Sequence, residues 1–243
     1  MSATYDLTGK VIVVAGASSG IGHATALAAA AAGARVVLAA RTTTALDALR
    51  DQIQVAGGTA SVIAADVTEQ NAAKHLVNDT ISAHGRIDAL VNSVGTNIKR
   101  RTLVELTEAS WAEMLAVNLT AAFNLTQAVV PVLRHQGGLV IHISSVAAKR
   151  ADRSGPAYQA TKAGVAALAH ATMEEEREAG IRVTVIYPGL TDTPLLLKRP
   201  TPPPPDVLAR ALQAEDVAAA CMFVLALPER AYVPELILSP SQF

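Results

Sequence analysis

The constraint that most limits this chain is an alternation. Short apolar runs rich in β-branched residues, Val11–Ala15, Arg35–Ala40, Ala60–Ala65, Ala89–Asn92, Leu139–Ile143, Arg182–Tyr187 and Leu236–Leu238, recur between alanine-rich stretches with helical spacing. The runs are nearly continuous in apolar character, as strands covered on both faces are. The helical patterns span Gly20–Ala32, Thr44–Ala56, Glu69–His84, Thr107–His135, Ala157–Ala179 and Glu215–Leu227. Strand–helix alternation of this kind predicts right-handed βαβ units. The fold class is therefore α/β, a doubly wound parallel sheet with helices on both faces. Gly33, Gly57–Gly58, Gly85, Gly137–Gly138 and Gly180 each stand between a helical pattern and the next strand, where a left-handed cap is wanted. No linker divides the 243 residues, so a single domain over 1–243 is expected. Pro200–Pro205 reads as a stiff loop inside that domain.

Composition excludes several classes. Hydrophobic residues make up 51% and charged residues 17%, enough for a large core and too apolar for a disordered chain. The formal net charge of −1 gives no basic excess for nucleic acid. Ala24–Ala34, the most apolar stretch, is too short to span a bilayer, and the first ten residues carry no signal core. One cysteine, Cys221, excludes an internal disulfide and a cysteine-only zinc site. No metal-ligand spacing appears among the six histidines. A cytoplasmic protein without membrane or nucleic-acid partners is the expectation.

The first strand runs into Ala15-Gly16-Ala17-Ser18-Ser19-Gly20-Ile21-Gly22 and a helix follows. Gly16 permits a sharp turn, and Gly20 and Gly22 clear space for close backbone approach. The helix N-terminus then directs free N–H groups at the turn, a site for pyrophosphate, with Ser18 and Ser19 as added donors. The second strand ends at Arg41, where an acid for a ribose 2′-hydroxyl would otherwise stand. Arg41 offers a cation for a 2′-phosphate, with Thr42 as a hydroxyl partner. This predicts NADP(H) as the preferred cofactor, with NAD(H) possible.

Tyr158 and Lys162 stand four apart at the start of a helical pattern and so share a face. A nearby ammonium favours phenolate and lowers a phenol pKa from its usual value near 10. Ser144 and Ser145 end the strand before them, at the strand C-termini where open parallel sheets bind ligands. Asn118 lies in an apolar helical pattern, where an amide needs partners. Lys99-Arg100-Arg101 and Lys149-Arg150 with Arg153 read either as solvated charge or as a rim that attracts an anionic substrate. His142 reads as a packed core residue, and so does Cys221.

Together Gly16/Gly20/Gly22, Asn92-Ser93-Val94-Gly95, Asn118, Ser145, Tyr158/Lys162 and Pro188-Gly189 resemble the single-domain short-chain dehydrogenase/reductases, in order from about Thr8 to Leu227. The resemblance implies a Rossmann-type sheet of about seven strands. It also implies a catalytic tetrad: Tyr158 as acid/base, Lys162 lowering its pKa and holding the ribose, Ser145 orienting substrate and Asn118 supporting a water relay to Lys162. It extends the cofactor contacts from the glycine turn with Ile21, Arg41 and Thr42 to Asp66 and Val67 on the adenine side, to Asn92, Ser93 and Gly95, to Pro188, Gly189 and Thr191, and to Thr193 near the carboxamide. Two departures stand out. Ser93-Val94 replaces the usual Asn-Ala, and Tyr232–Phe243 replaces a glycine-rich C-terminus. The expected function is NADP(H)-dependent interconversion of a small-molecule carbonyl and alcohol. The rival is a dinucleotide-binding regulatory protein without turnover. Substrate choice is expected from residues around Val146–Pro156 and from the loop at about 190–206, with Leu195, Leu196 and Leu197 as the apolar inner face of that loop. Pairing through the two long helices implies a homodimer or homotetramer.

Overall fold

The computed structural model describes residues 5–242. Met1–Thr4, at the start of the segment read for a signal core, and Phe243, at the end of the departing C-terminus, lie outside the described residues. In chain order the elements are β1 (Val11–Ala15), α1 (Gly20–Ala31), β2 (Arg35–Ala40), α2 (Thr43–Val55), β3 (Thr59–Ala64), α3 (Gln70–His84), β4 (Ala89–Asn92), α4 (Glu108–Leu115), α5 (Ala121–Leu133), β5 (Gly138–Ile143), α6 (Pro156–Glu176), β6 (Ile181–Pro188), β7 (Thr191–Asp192), α7 (Pro205–Leu208), β8 (Leu212–Gln213), α8 (Ala214–Leu225) and β9 (Glu235–Leu238). Seven strands form one parallel sheet in the order β3-β2-β1-β4-β5-β6-β9. The order reverses between β1 and β4, whose C-terminal residues Ala15 and Asn92 are paired in register. A crevice opens at such a switch point.

The continuous apolar runs are explained by a core on each side of the sheet. In β1, Ile12 and Val14 face one cluster, with Ala26 and Ala29 of α1, Leu46 and Leu49 of α2, and Val217 and Cys221 of α8. Val11, Val13 and Ala15 face the other, with Leu76 of α3, Leu125 and Val129 of α5, and Ala169 of α6. Period-two alternation therefore buries every residue of the strand.

Two element boundaries need correction. The helix read over Thr107–His135 is not uniform: a π-helical turn, Ala116–Thr120, separates α4 from α5. The proline-rich loop is shorter than expected, because Pro205 opens α7 as its first residue and only the residues before it are loop. The segment 108–133, taken as continuous helix, is long and apolar enough to cross a membrane by length and composition alone. Its inner face is packed in the protein: Met114, Ala121, Leu125 and Val129 are fully buried. Of the glycines expected as left-handed caps, Gly33, Gly57, Gly85, Gly137 and Gly180 have positive φ between 73° and 90°, while Gly58 lies outside that region and Gly138 is extended. One small element had no signal: β7 and β8 pair as a two-stranded parallel ribbon at the base of the 190–206 loop.

Candidate active site

A cleft of about 500 Å³ lies over the C-terminal ends of the central strands. At one end the chain turns at Gly16, with φ +82°, and a Cβ there would stand 2.8 Å from the Ser93 carbonyl carbon. A Cβ on Gly22 would lie 2.3 Å from the Gly16 oxygen. Backbone thus passes where side chains cannot, leaving α1 to present its N-terminus to the cleft. Ser19 precedes α1 without a side-chain cap, so the first N–H groups of the helix are not satisfied by it. Thr193 closes over this turn, its Cγ2 3.3 Å from where a Gly20 Cβ would be. Such a cradle suits a pyrophosphate. Ser18, Ile21, Arg41, Thr42, Asp66, Val67, Ser93, Gly95, Pro188, Gly189 and Thr191 also line the cleft. Arg41 is exposed at the end of β2. Thr42 caps α2 by position, but its side chain makes no cap bond. Asp66 accepts from the Thr68 N–H at 3.1 Å and its hydroxyl at 2.7 Å, which fixes the loop after β3.

The other end holds the acid–base group. Tyr158 and Lys162 lie in the first turns of α6, Tyr158 9% and Lys162 5% exposed. Ser145, just past β5, lines the cleft with Tyr158, and its Oγ accepts the Ala147 N–H at 3.2 Å. Lys162 Nζ donates to the Ile143 carbonyl at 2.9 Å. It stands 5.8 Å from the Tyr158 ring centre and 3.1 Å from where a Gly95 Cβ would be. The Ser144 hydroxyl donates to the Lys162 carbonyl at 2.9 Å, tying α6 to β5.

The electrostatics differ from the expectation that Lys162 makes the phenol acidic. Burial raises the Tyr158 pKa, and the Asp152 charge adds to the rise. The Ser145 hydroxyl and the cations Arg199 and Arg101 oppose it without reversing it. Lys162 itself is pushed down to about 8 by desolvation. The buried ammonium carries a penalty of its own, and its hydrogen bond goes to Ile143.

Three of the expected residues do not line the cleft but brace it: Gly22, Asn92 and Asn118. Asn118, in the π-helical turn, accepts the Thr96 N–H at 2.7 Å and donates to the Thr96 carbonyl and the Thr161 hydroxyl, both at 3.1 Å. Its side chain thus pins the loop after β4 to α6, and Lys162 is not one of its partners. The π-turn places the amide between those segments; such turns recur at functional sites. Asn92 Oδ1 accepts the Val94 N–H at 3.1 Å, so its amide N–H faces His142 Nδ1, also at 3.1 Å. Thr126 donates its one hydroxyl proton to the Ala122 carbonyl at 2.7 Å, so at 3.2 Å it accepts from His142 Nε2–H. The chain of donors fixes one neutral histidine tautomer. Desolvation, with the Lys162 charge, pushes the His142 pKa down to about 4. Reading His142 as packed core missed this role; its signal was its place in register with Asn92 on the neighbouring strand.

Of the basic residues read as a possible rim, Arg101 lines the cleft; Lys99, Arg100, Lys149, Arg150 and Arg153 do not. Lys149 instead pairs with Glu235 at 2.5 Å. Leu195 and Leu196 face the cleft from the 190–206 loop, whereas Leu197 is 76% exposed and turns away. Among the described residues no cluster of three metal-ligating side chains occurs.

The family model for short chain dehydrogenases matches residues 10–202, most of the chain and all of this geometry up to the loop. The protein belongs to the short-chain dehydrogenase/reductase family. Among its relatives in this oxidoreductase family, a 3-oxoacyl-[acyl-carrier-protein] reductase of Thermotoga maritima is 34% identical over 233 residues, covering 93% of this chain and 94% of the relative. One from Synechocystis sp. is 36% identical, with 93% of each covered. A metagenomic short-chain oxidoreductase solved in complex with NADP superposes with a TM-score of 0.84 at 33% identity, covering 97% of this chain and 99% of that one. The alcohol dehydrogenase of the archaeon Thermococcus sibiricus, complexed with 5-hydroxy-NADP, gives a TM-score of 0.87 at 29% identity, over 96% and 97%. The family's Rossmann-type sheet, including β9 as its last strand, is complete in this member. A nicotinamide dinucleotide is the cofactor the cleft fits.

Proposed function

We propose that this short-chain dehydrogenase/reductase is an NADP(H)-dependent enzyme interconverting a carbonyl and an alcohol, with Tyr158 as acid/base. The observation that carries the reading is that Ser145, a buried Tyr158 and Lys162, which stands beside the Gly95 turn, line one end of a cleft whose other end is a glycine cradle. When bound, the nicotinamide supplies or accepts the hydride at the substrate carbon. In reduction, Ser145 holds the substrate oxygen and Tyr158 gives it a proton. Burial keeps the phenol protonated at neutral pH, which suits a donor, while Ser145, Arg199 and Arg101 ease formation of the phenolate. Lys162, held in the cleft by its bond to Ile143, would bind the ribose hydroxyls. Asn118 acts as a positioning residue, holding the Gly95 loop against α6. Arg41 makes no ion pair with another described residue and stands beside the free Thr42 hydroxyl, an arrangement suited to a 2′-phosphate. NADP(H) is therefore preferred and NAD(H) binds more weakly. A homodimer or homotetramer would pair through α4 and α5 and through α6, and Trp111 and Phe123, 39% and 42% exposed on α4 and α5, support it.

A panel of ketones and aldehydes with NADPH, and of alcohols with NADP+, followed at the nicotinamide absorbance, tests the reading. Turnover of at least one pair supports it. Tight NADPH binding with no oxidation against a broad panel favours the regulatory reading.

A further inference from the structure

One corner of the cleft holds polar groups that nothing in the protein satisfies. Arg101 is only 7% exposed, yet its one hydrogen bond runs from Nη2 to the Lys198 carbonyl at 2.7 Å. Its Nε is buried without a partner. Arg50, Arg86, Arg134, Arg177 and Arg210 all sit in ion pairs; Arg101 does not. The other buried side-chain polar atom without a partner among the described residues is the Ser154 hydroxyl. Arg101 and Ser154 line the same cleft as Tyr158. Their corner is fixed: Asn97 donates to the Ser154 carbonyl at 3.1 Å, and Gly155 lies so close that a Cβ would meet the Arg101 oxygen at 2.6 Å. Arg199 adds a second, half-buried guanidinium to the lining. Asp152 and Glu113 also line the cleft, both exposed to water, and neither pairs with Arg101.

A desolvated guanidinium is costly to hold when its nearest carboxylate, Asp152, acts on it without forming an ion pair, and the natural compensation is an anion that arrives with the ligand. A planar fork with unused donors matches a carboxylate, and a neighbouring hydroxyl adds a further donor. We infer that the substrate of this enzyme carries a carboxylate, bound by Arg101 with the Ser154 hydroxyl while its carbonyl lies at Ser145 and Tyr158. The pair interconverted is then an oxo acid and the corresponding hydroxy acid, and the carboxylate itself is unchanged. This rests on the oxidoreductase reading above and goes beyond it by naming the substrate class. Because Arg101 also holds the Lys198 carbonyl, it links the recognised anion to the 190–206 loop.

The test compares short 2-, 3- and 4-oxo acids with their methyl esters and with phosphate-bearing ketones. It uses wild type, Arg101→Met, Arg101→Lys and Ser154→Ala, each first shown to bind NADPH. Wild type is expected to favour acids over esters in kcat/KM. Loss of a charge-assisted pair predicts that Arg101→Met lowers that acid-to-ester ratio about 10- to 100-fold. Arg101→Lys should retain part of it. In parallel, NADP+-loaded protein is titrated by calorimetry with the hydroxy acids, which reads the anion site without turnover. Binding that Arg101→Met abolishes supports the inference. Equal loss on acids and esters, preference for esters or phosphates, or absence of calorimetric binding by the acids overturns it. Turnover confined to neutral ketones overturns it too, yet leaves the oxidoreductase reading standing. Calorimetric acid binding without any hydride transfer contradicts the oxidoreductase reading instead.

Discussion

Acidification probes the buried polar chain that holds the Asn92–Gly95 turn in place. His142 has no exposed surface and is locked as a neutral Nε2–H tautomer between Asn92 and Thr126. Protonation would set a second N–H against the Asn92 amide, which cannot turn round without facing the Val94 N–H. The folded pKa is about 4 against an ordinary 6.5. The folded state therefore resists a proton that the unfolded chain accepts, so stability falls as pH drops below 6.5 and levels off below 4. Linkage gives a loss of about 2 kcal/mol by pH 5 and about 3 kcal/mol by pH 4 from this residue alone. Urea denaturation at intervals from pH 7.5 to 4.5 should show that slope in the wild type. His142→Asn, which keeps a donor and an acceptor but does not titrate, should lack it, and carboxylate contributions cancel in the difference. Coincident slopes for the two proteins over pH 5–6.5 would refute the assigned tautomer and its burial. Nitrogen chemical shifts of the imidazole at pH 7 provide an independent check of which nitrogen carries the proton.

Three further outcomes are expected. Arg41→Ala should weaken NADPH binding about 10- to 100-fold and NADH binding hardly at all, as measured by fluorescence titration; an equal loss for both would remove the 2′-phosphate role. Lys162→Met should raise stability at neutral pH by about 2 kcal/mol while abolishing turnover. The cost of holding the ammonium at a pKa of about 8 rather than 10.5 is about 3 kcal/mol, and the lost bond to Ile143 returns about 1. That gain should shrink as pH rises from 8 to 10.5, where folding favours release of the proton, and a gain constant across this window would contradict it. Sedimentation of the purified protein should give a dimer or tetramer that Phe123→Glu dissociates; a monomeric wild type would end the pairing proposal.

The sheet was legible because its signal is redundant. Each strand carries a continuous apolar run, each helix an apolar stripe, and a glycine often punctuates the return. The glycine cradle was legible for the same reason: a Cβ on Gly16 or Gly22 would collide with backbone, so the residue type reports the geometry. What escaped were interactions between segments distant in sequence. The helical pattern from Thr107 to His135 contains no glycine, and its one proline, Pro131, lies well past the π-turn, so nothing local announces that Asn118 must reach Thr96 and Thr161. Lys149 and Arg101 look alike as basic residues near the site. One pairs with Glu235, which comes much later in the chain, and the other is left buried without an ion pair. The electrostatic error had a similar origin. Spacing of four puts Tyr158 and Lys162 on one face but says nothing of desolvation, which here raises the phenol and depresses the amine.

The central claim is that Tyr158 carries the proton while Ser145 holds the oxygen. Once the panel has supplied a substrate, single-turnover kinetics of NADPH oxidation in wild type and Tyr158→Phe measure that claim directly. The phenylalanine variant should bind NADPH normally and transfer hydride at least about a hundred times more slowly. Transfer at the wild-type rate by a variant lacking the hydroxyl would show that the proton comes from elsewhere.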